Sequence, residues 1–283
     1  MAGAMSRGRP PAPDPLPVPV VDNHVHLDHA REGDEPVDAG VAVADATAVG
    51  VDRLVQIGCD LPGARFTVDL VEGHAAVLGG VSLHPNEVPR LEASGELAEA
   101  LAEIERLARH PRVRVIGETG LDYYRTGPAG RPAQQDAFRW HIDLAKRTGK
   151  VLQIHDREAH DDVLRILAEE GAPRHTVLHC FSGDLSMART AIERGYLLSF
   201  AGPVTFKNAT TLRDALAVTP LEQVLVETDA PYLAPHPWRG ATNASYLVPL
   251  TVRSMASVLG VAVPTLCEAL SANSERVYGP WGA

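Results

Sequence analysis

The sequence predicts a single (β/α)8 barrel, and three observations carry that prediction. Short β-branched runs alternate with longer amphipathic stretches eight times from Val18 onward. Each run is apolar on both parities, as parallel strands covered on both faces must be. The first run is followed by HVHLDHA rather than a glycine-rich phosphate loop, which argues against a doubly wound sheet. A length of 283 residues suits one barrel of roughly 250 residues plus a short extension.

In order, the predicted strands are PVPVVDNHVH (17–26), DRLVQIGC (52–59), AAVLGGVSLH (75–84), VRVIGETG (113–120), VLQIHD (151–156), HTVLHCF (175–181), GYLLSFAG (195–202) and QVLVETD (223–229). Helix-like stretches among the connections include 95–109, 132–148, 157–170, 185–194 and 208–218. Ahead of the first strand, prolines at 10, 11, 13, 15, 17 and 19 block helix and sheet ladders. Residues 1–17 therefore read as a flexible tail, dispensable for melting temperature and activity, and 18–283 as the barrel domain. The tail lacks the apolar core of a secretory signal.

Composition narrows the function classes. Hydrophobic residues make up 45% and charged residues 22%, an ordinary globular balance able to bury a large core. Cys59, Cys180 and Cys267 stand far apart with no CxxC, which excludes a disulfide framework and a cysteine zinc finger and fits a reducing cytoplasm. No apolar run approaches 18 residues, so no membrane partner is expected. A net charge of −10 means that any nucleic acid is met by a local site rather than a global field. Nothing points to an obligate protein partner.

Chemistry concentrates at the C-terminal ends of the predicted strands, where barrel enzymes build their sites. The first strand closes on His24 and His26, two apart and so on one face. The fourth runs into Glu118, the fifth into His155, the sixth into His179 and the eighth into Asp229. A lone HxH is more often a pair of satisfied polar residues, but six such groups on five strand ends point to one centre. Imidazole and carboxylate without thiolate suit Mg, Mn or Zn. Six ligands are too many for one open ion and suit two ions about 3.5–4 Å apart, sharing a carboxylate. Asp229 can both hold metal and take the proton of an attacking water.

Around this centre, Asp22 shares parity with both histidines and is a candidate acceptor for one ring. His84, Arg157, Lys207 and Arg239 follow strand ends and are candidate substrate contacts, the cations gripping phosphate. Tyr123 and Tyr124 can stack on bases or pack against a loop. Cys180 reads as a small buried apolar residue.

The ordered set DNHVHLD, VSLHPNE, GETGLDYYR, IHDRE, HCFSGD, ETDAPYL and NSERVYG resembles the TatD family of metal-dependent hydrolases across residues 20 to about 279. The resemblance implies that His24, His26, Glu118 and Asp229 hold one metal, and that Glu118, His155 and His179 hold the other with Glu118 bridging. It also implies deoxyribonuclease activity, exonucleolytic on single-stranded DNA or DNA ends, driven by a metal-activated water. Two departures stand out: Ser245, in a segment where the family often has proline, and Asp156 after His155, where a small residue is common. Asp156 is expected to face away from His155. Two rivals are a metal-dependent hydrolase of carboxylic or aminoacyl esters and amides, and a metal-holding binding module without catalysis.

Overall fold

The structure is a computed structural model that describes residues 9–281. Its strands are β1 (Val20–Val25), β2 (Val51–Gly58), β3 (Val77–Val81), β4 (Val113–Asp122), β5 (Val151–Arg157), β6 (Thr176–Leu178), β7 (Leu197–Phe200) and β8 (Val224–Val226). Each pairs in parallel with the next in chain order, giving one eight-stranded sheet. The segment after β8 returns to β1: Asp229 N donates to His24 O at 3.0 Å and His26 N to Ala230 O at 2.9 Å. The sheet thus curls into the predicted barrel.

Among the described residues ten α-helices cover it: α1 (Ala39–Thr47), α2 (Leu61–Gly73), α3 (Val88–Ser94), α4 (Leu97–Leu107), α5 (Arg131–Thr148), α6 (His160–Glu170), α7 (Leu185–Glu193), α8 (Thr210–Val218), α9 (Val248–Leu259) and α10 (Val263–Tyr278). One apolar cluster lies between strands and helices. A second fills the barrel, where Val21, Val55, Leu78, Val115, Val177 and Leu225 meet Val277, Tyr278 and Trp281. The last three plug the N-terminal end, since Arg112, just before β4, donates to Trp281 O at 2.8 Å. Two apolar layers explain why the strands carry no polar alternation.

The N-terminal expectation divides. Residues 1–8 lie outside the described residues, whereas 9–17 are docked on the barrel rather than free. Leu16 is buried and its N–H donates to Val49 O at 3.0 Å. Tyr246 Oη donates to Pro10 O at 2.6 Å, and Arg253 donates to Asp14 O at 2.7 Å and Pro15 O at 3.0 Å. Proline removes donors but leaves every carbonyl free to accept, so side chains elsewhere can pin the segment.

Candidate metal centre

The structure brings all six predicted ligands to one end of the barrel. His24 and His26 face each other through Nε2 at 3.2 Å. The Glu118 carboxylate splits its attention: Oε1 lies 3.7 Å from His24 Nε2 and 3.5 Å from His26 Nε2. Its Oε2 lies 2.8 Å from His179 Nε2 and 3.0 Å from His155 Nδ1. Asp229 Oδ1 is 3.3 Å from His26 Nε2 and 3.9 Å from His24 Nε2. Gly120 makes the approach of β4 to β5 possible: its φ is +137°, and a Cβ there would meet His155 O at 2.2 Å. Asp229 also sits in the left-handed region, at φ 56°, a conformation held by its bond to His24 O.

The rings are oriented from behind by groups that the sequence reading did not single out. His24 Nδ1 donates to Gln153 Oε1 at 2.8 Å, His26 Nδ1 to Ile57 O at 2.9 Å and His179 Nδ1 to Glu227 Oε1 at 3.0 Å. Fixing that tautomer leaves three Nε2 lone pairs aimed into the centre, the arrangement a metal ligand needs. His155 is turned the other way, with its buried Nε2 lacking a hydrogen bond and lying 3.4 Å from Asp122 Oδ2. Gln153 and Glu227 each precede a ligand by two residues on the same strand end, so parity was the signal that could have found them. Asp22 departs from expectation. It accepts from Thr228 N at 2.8 Å and Thr228 Oγ1 at 2.6 Å, and so holds the turn that carries Asp229 rather than an imidazole ring. Cys59 Sγ donates to Glu118 Oε1 at 3.2 Å.

Electrostatics match a centre built for cations. Burial alone would lower the pKa of His26, but the hydrogen bond and charge of Asp229, with the charge of Glu118, push it up to about 10. Burial likewise opposes the protonated form of His179, yet Glu118 and Glu227 hold its pKa well above the ordinary value. The carboxyl of Glu118, despite burial that would raise it, stays well below the usual range because of His179 and His84. Without metal, protons on imidazoles supply the positive charge that these carboxylates require. The donor set fits divalent ions: His24, His26 and Glu118, then His84, Glu118 and His155, then His24, His179 and Glu227 each converge within 4.8 Å.

A cavity of about 670 Å³ opens onto the centre. His84 and Arg157 line it, as does Arg125, which sequence reasoning missed. Lys207 and Arg239 are exposed and are not among its lining residues, and Arg239 lies over the Phe206 ring at 4.6 Å. Tyr123 is a packing residue, bonded to Asp162 at 2.6 Å, whereas Tyr124 is exposed under the Arg157 guanidinium at 3.9 Å. Cys180 is half-buried and lines the cavity, at φ 42°. Asp156 accepts from His160 Nδ1 at 2.8 Å and bonds to none of the proposed ligands, although it lines the same cavity.

Comparison with known proteins places this arrangement. The family model described as "TatD related DNase" matches residues 21–279. A "metal-dependent hydrolase TatD" of Mycobacterium tuberculosis is 45% identical over 264 residues, covering 92% of this chain and 98% of that protein. The Escherichia coli K12 metal-dependent hydrolase YcfH is 37% identical, covering 92% and 95% respectively. Among solved structures, YJJV, a TatD homolog from Escherichia coli K12, superimposes with a TM-score of 0.82 at 24% identity, covering 92% of this chain and 98% of that one.

Proposed function

Because the chain belongs to the TatD-related DNase family and is a metal-dependent hydrolase, we propose that it cleaves phosphodiester bonds of DNA, releasing nucleotides from an end, with two divalent ions (Mg, Mn or Zn). The observation that carries the two-ion reading is the Glu118 carboxylate, whose oxygens face separate imidazole pairs. His24, His26, Glu118 and Asp229 would hold one ion, and Glu118, His155 and His179 the other. When bound, such ions supply positive charge for the phosphoryl oxygens and make water nucleophilic at neutral pH.

The chain's own groups do the rest. Asp229 has a side chain 16% exposed on the cavity, against 6% for Glu118, and can take a proton from water there. Arg125 and Arg157 put positive charge on the wall of the cavity of a chain whose net charge is −10, so phosphate is favoured locally. His84 stands over the centre, its Nε2 3.9 Å from Glu118 Oε2, within reach of a substrate oxygen. Three free thiols suit a reducing compartment, and a cytoplasmic setting goes with the proposal.

End-labelled single-stranded DNA, digested in parallel with carboxylic and aminoacyl esters, tests the reading. Metal-dependent release of mononucleotides from one end, absent in Glu118→Ala, is expected. Ester cleavage with intact DNA would move the assignment to a carbonyl hydrolase.

A further inference from the structure

A second cavity, of about 330 Å³, lies beside the metal centre, and His26 and His29 line both spaces. That volume is at the lower end of the roughly 300–1,000 Å³ typical of small-molecule sites. Its walls come from the connection between β1 and α1, from α1 itself through Ala42, and from the segment between β8 and α9. Arg125 and Arg157, the arginines of the metal cavity, lie on other elements, after β4 and at the end of β5.

Its chemistry differs from that of its neighbour. Val25, Leu27, Ala42 and Pro231 give it apolar walls. The cations at its edge are already engaged: Arg31 donates to Gly240 O at 3.1 Å and Ala241 O at 2.7 Å, and Arg9 pairs with Asp45 at 3.3 Å. Asp34 and Glu35 add negative charge. With both arginines engaged elsewhere and two carboxylates beside them, a phosphate finds no free cation among the lining residues, whereas a neutral, planar group with N–H donors is accommodated. The boundary between the cavities is aromatic. His26 and His29 stack with centroids 5.0 Å apart, and Tyr232, 42% exposed, meets His29 edge-on at 6.3 Å. Val37 at this cavity and Leu233 at the metal cavity are each 37% exposed, so apolar surface is left open on both sides of that boundary.

We propose that this side cavity seats the nucleobase next to the scissile phosphate, with His29 and Tyr232 as the platform that guides the base past the metal centre. The inference rests on the phosphodiesterase reading and adds a binding site for the base. It divides the substrate by polarity: charged backbone over the metals beside Arg125 and Arg157, uncharged ring among the alanines, valines and carboxylates.

The test compares a dinucleotide with its analogue lacking both bases, using metal-loaded enzyme. Wild type should prefer the dinucleotide in kcat/KM by about tenfold or more, the scale of a stacked base. Ala42→Phe fills the cavity from α1, and Val37→Trp closes it from an exposed position that tolerates change without unfolding. Each should reduce that preference severalfold. An unchanged preference in both variants, or none in wild type, overturns the proposal. Deoxyadenosine binding, followed by saturation-transfer NMR, separates this proposal from the nuclease reading. If neither phosphodiester is cut, binding to wild type that Ala42→Phe abolishes upholds the cavity, and absence of binding to wild type refutes it.

Discussion

The two ends of this barrel are built from opposite materials. At the N-terminal end Val277, Tyr278 and Trp281 close the interior with apolar surface. The cations there are tied to backbone oxygen, Arg112 donating to Ala75 O and Val77 O, each at 2.8 Å, and Lys150 to His110 O. At the C-terminal end His24, His26, Glu118 and His179 are buried against one another, with imidazoles and carboxylates in place of hydrocarbon. Buried ionisable groups stabilise a fold poorly even when paired, because desolvation cancels much of the attraction. The base therefore holds the barrel, and the rim adds little to its stability until cations arrive. Substitutions at the two ends should accordingly separate function from stability.

The largest effect is expected at the rim. Glu118→Gln keeps volume but loses the charge that faces both imidazole pairs, so turnover should fall by about 10²–10³ or more. Metal content, read by elemental analysis, should drop from about two per chain to one or fewer. Two metals and near wild-type turnover in this variant would remove the bridging role.

Trp281→Ala should do the reverse. Trp281 is 7% exposed and completes the plug, so truncation should cost about 3–5 kcal/mol in denaturant unfolding. Metal affinity of the folded fraction should not change. A variant that lost metal with its stability would show that the two ends are coupled.

Glu227→Ala probes the layer between them. Glu227 accepts from His179 Nδ1 at 3.0 Å and from Cys180 N at 2.8 Å, but it is not one of the proposed ligands. Losing such an orienting group should weaken metal binding about 10–100-fold in a chelator competition. Glu227→Gln, which keeps an acceptor, should recover part of it. Equal loss in both variants would mean that charge rather than orientation is what Glu227 supplies.

The rim was more legible in the sequence than what surrounds it. His24 and His26 announce themselves because two histidines at strand parity can converge, and strand-end placement exposes Glu118, His155, His179 and Asp229. Gln153 and Glu227 have the same parity as His155 and Asp229, but one layer deeper, and an amide or a second carboxylate means little until the barrel interior is known. β6 and β8 are only three residues long where longer runs were expected, since the chain leaves the sheet to turn at Cys180 and Asp229, both at positive φ. The segment 9–17 was misread for a different reason. Proline density describes what a backbone cannot donate, and Tyr246 and Arg253, far along the chain, decide what its carbonyls accept. The side cavity depends on two irregular connections whose meeting no local pattern encodes.

The smallest effect expected is a pH dependence at His141, which joins the helical shell to the rim. This buried α5 residue donates from Nδ1 to Ala137 O at 2.7 Å, and its Nε2 accepts from Leu83 N, beside His84, at 3.3 Å. Both nitrogens are used by the neutral ring, and a second proton would displace the Leu83 contact. Burial accordingly depresses its pKa to about 4, whereas the unfolded chain has an ordinary value of about 6.5. A depressed folded pKa means that the stabilisation is fully present above about 6.5 and is lost as pH falls toward 4. Between pH 6.5 and 5 this amounts to about 1.5 kcal/mol. His24 and His84, whose pKa values burial also lowers, carry the same sign and remain in any His141 variant. Urea unfolding of metal-free wild type and His141→Gln at both pH values isolates the difference. The variant should lose about 1.5 kcal/mol less than wild type over that interval. If the two proteins lose stability in parallel, His141 is not held neutral by the fold, and its tie to the segment carrying His84 does not contribute to the acid sensitivity of the rim.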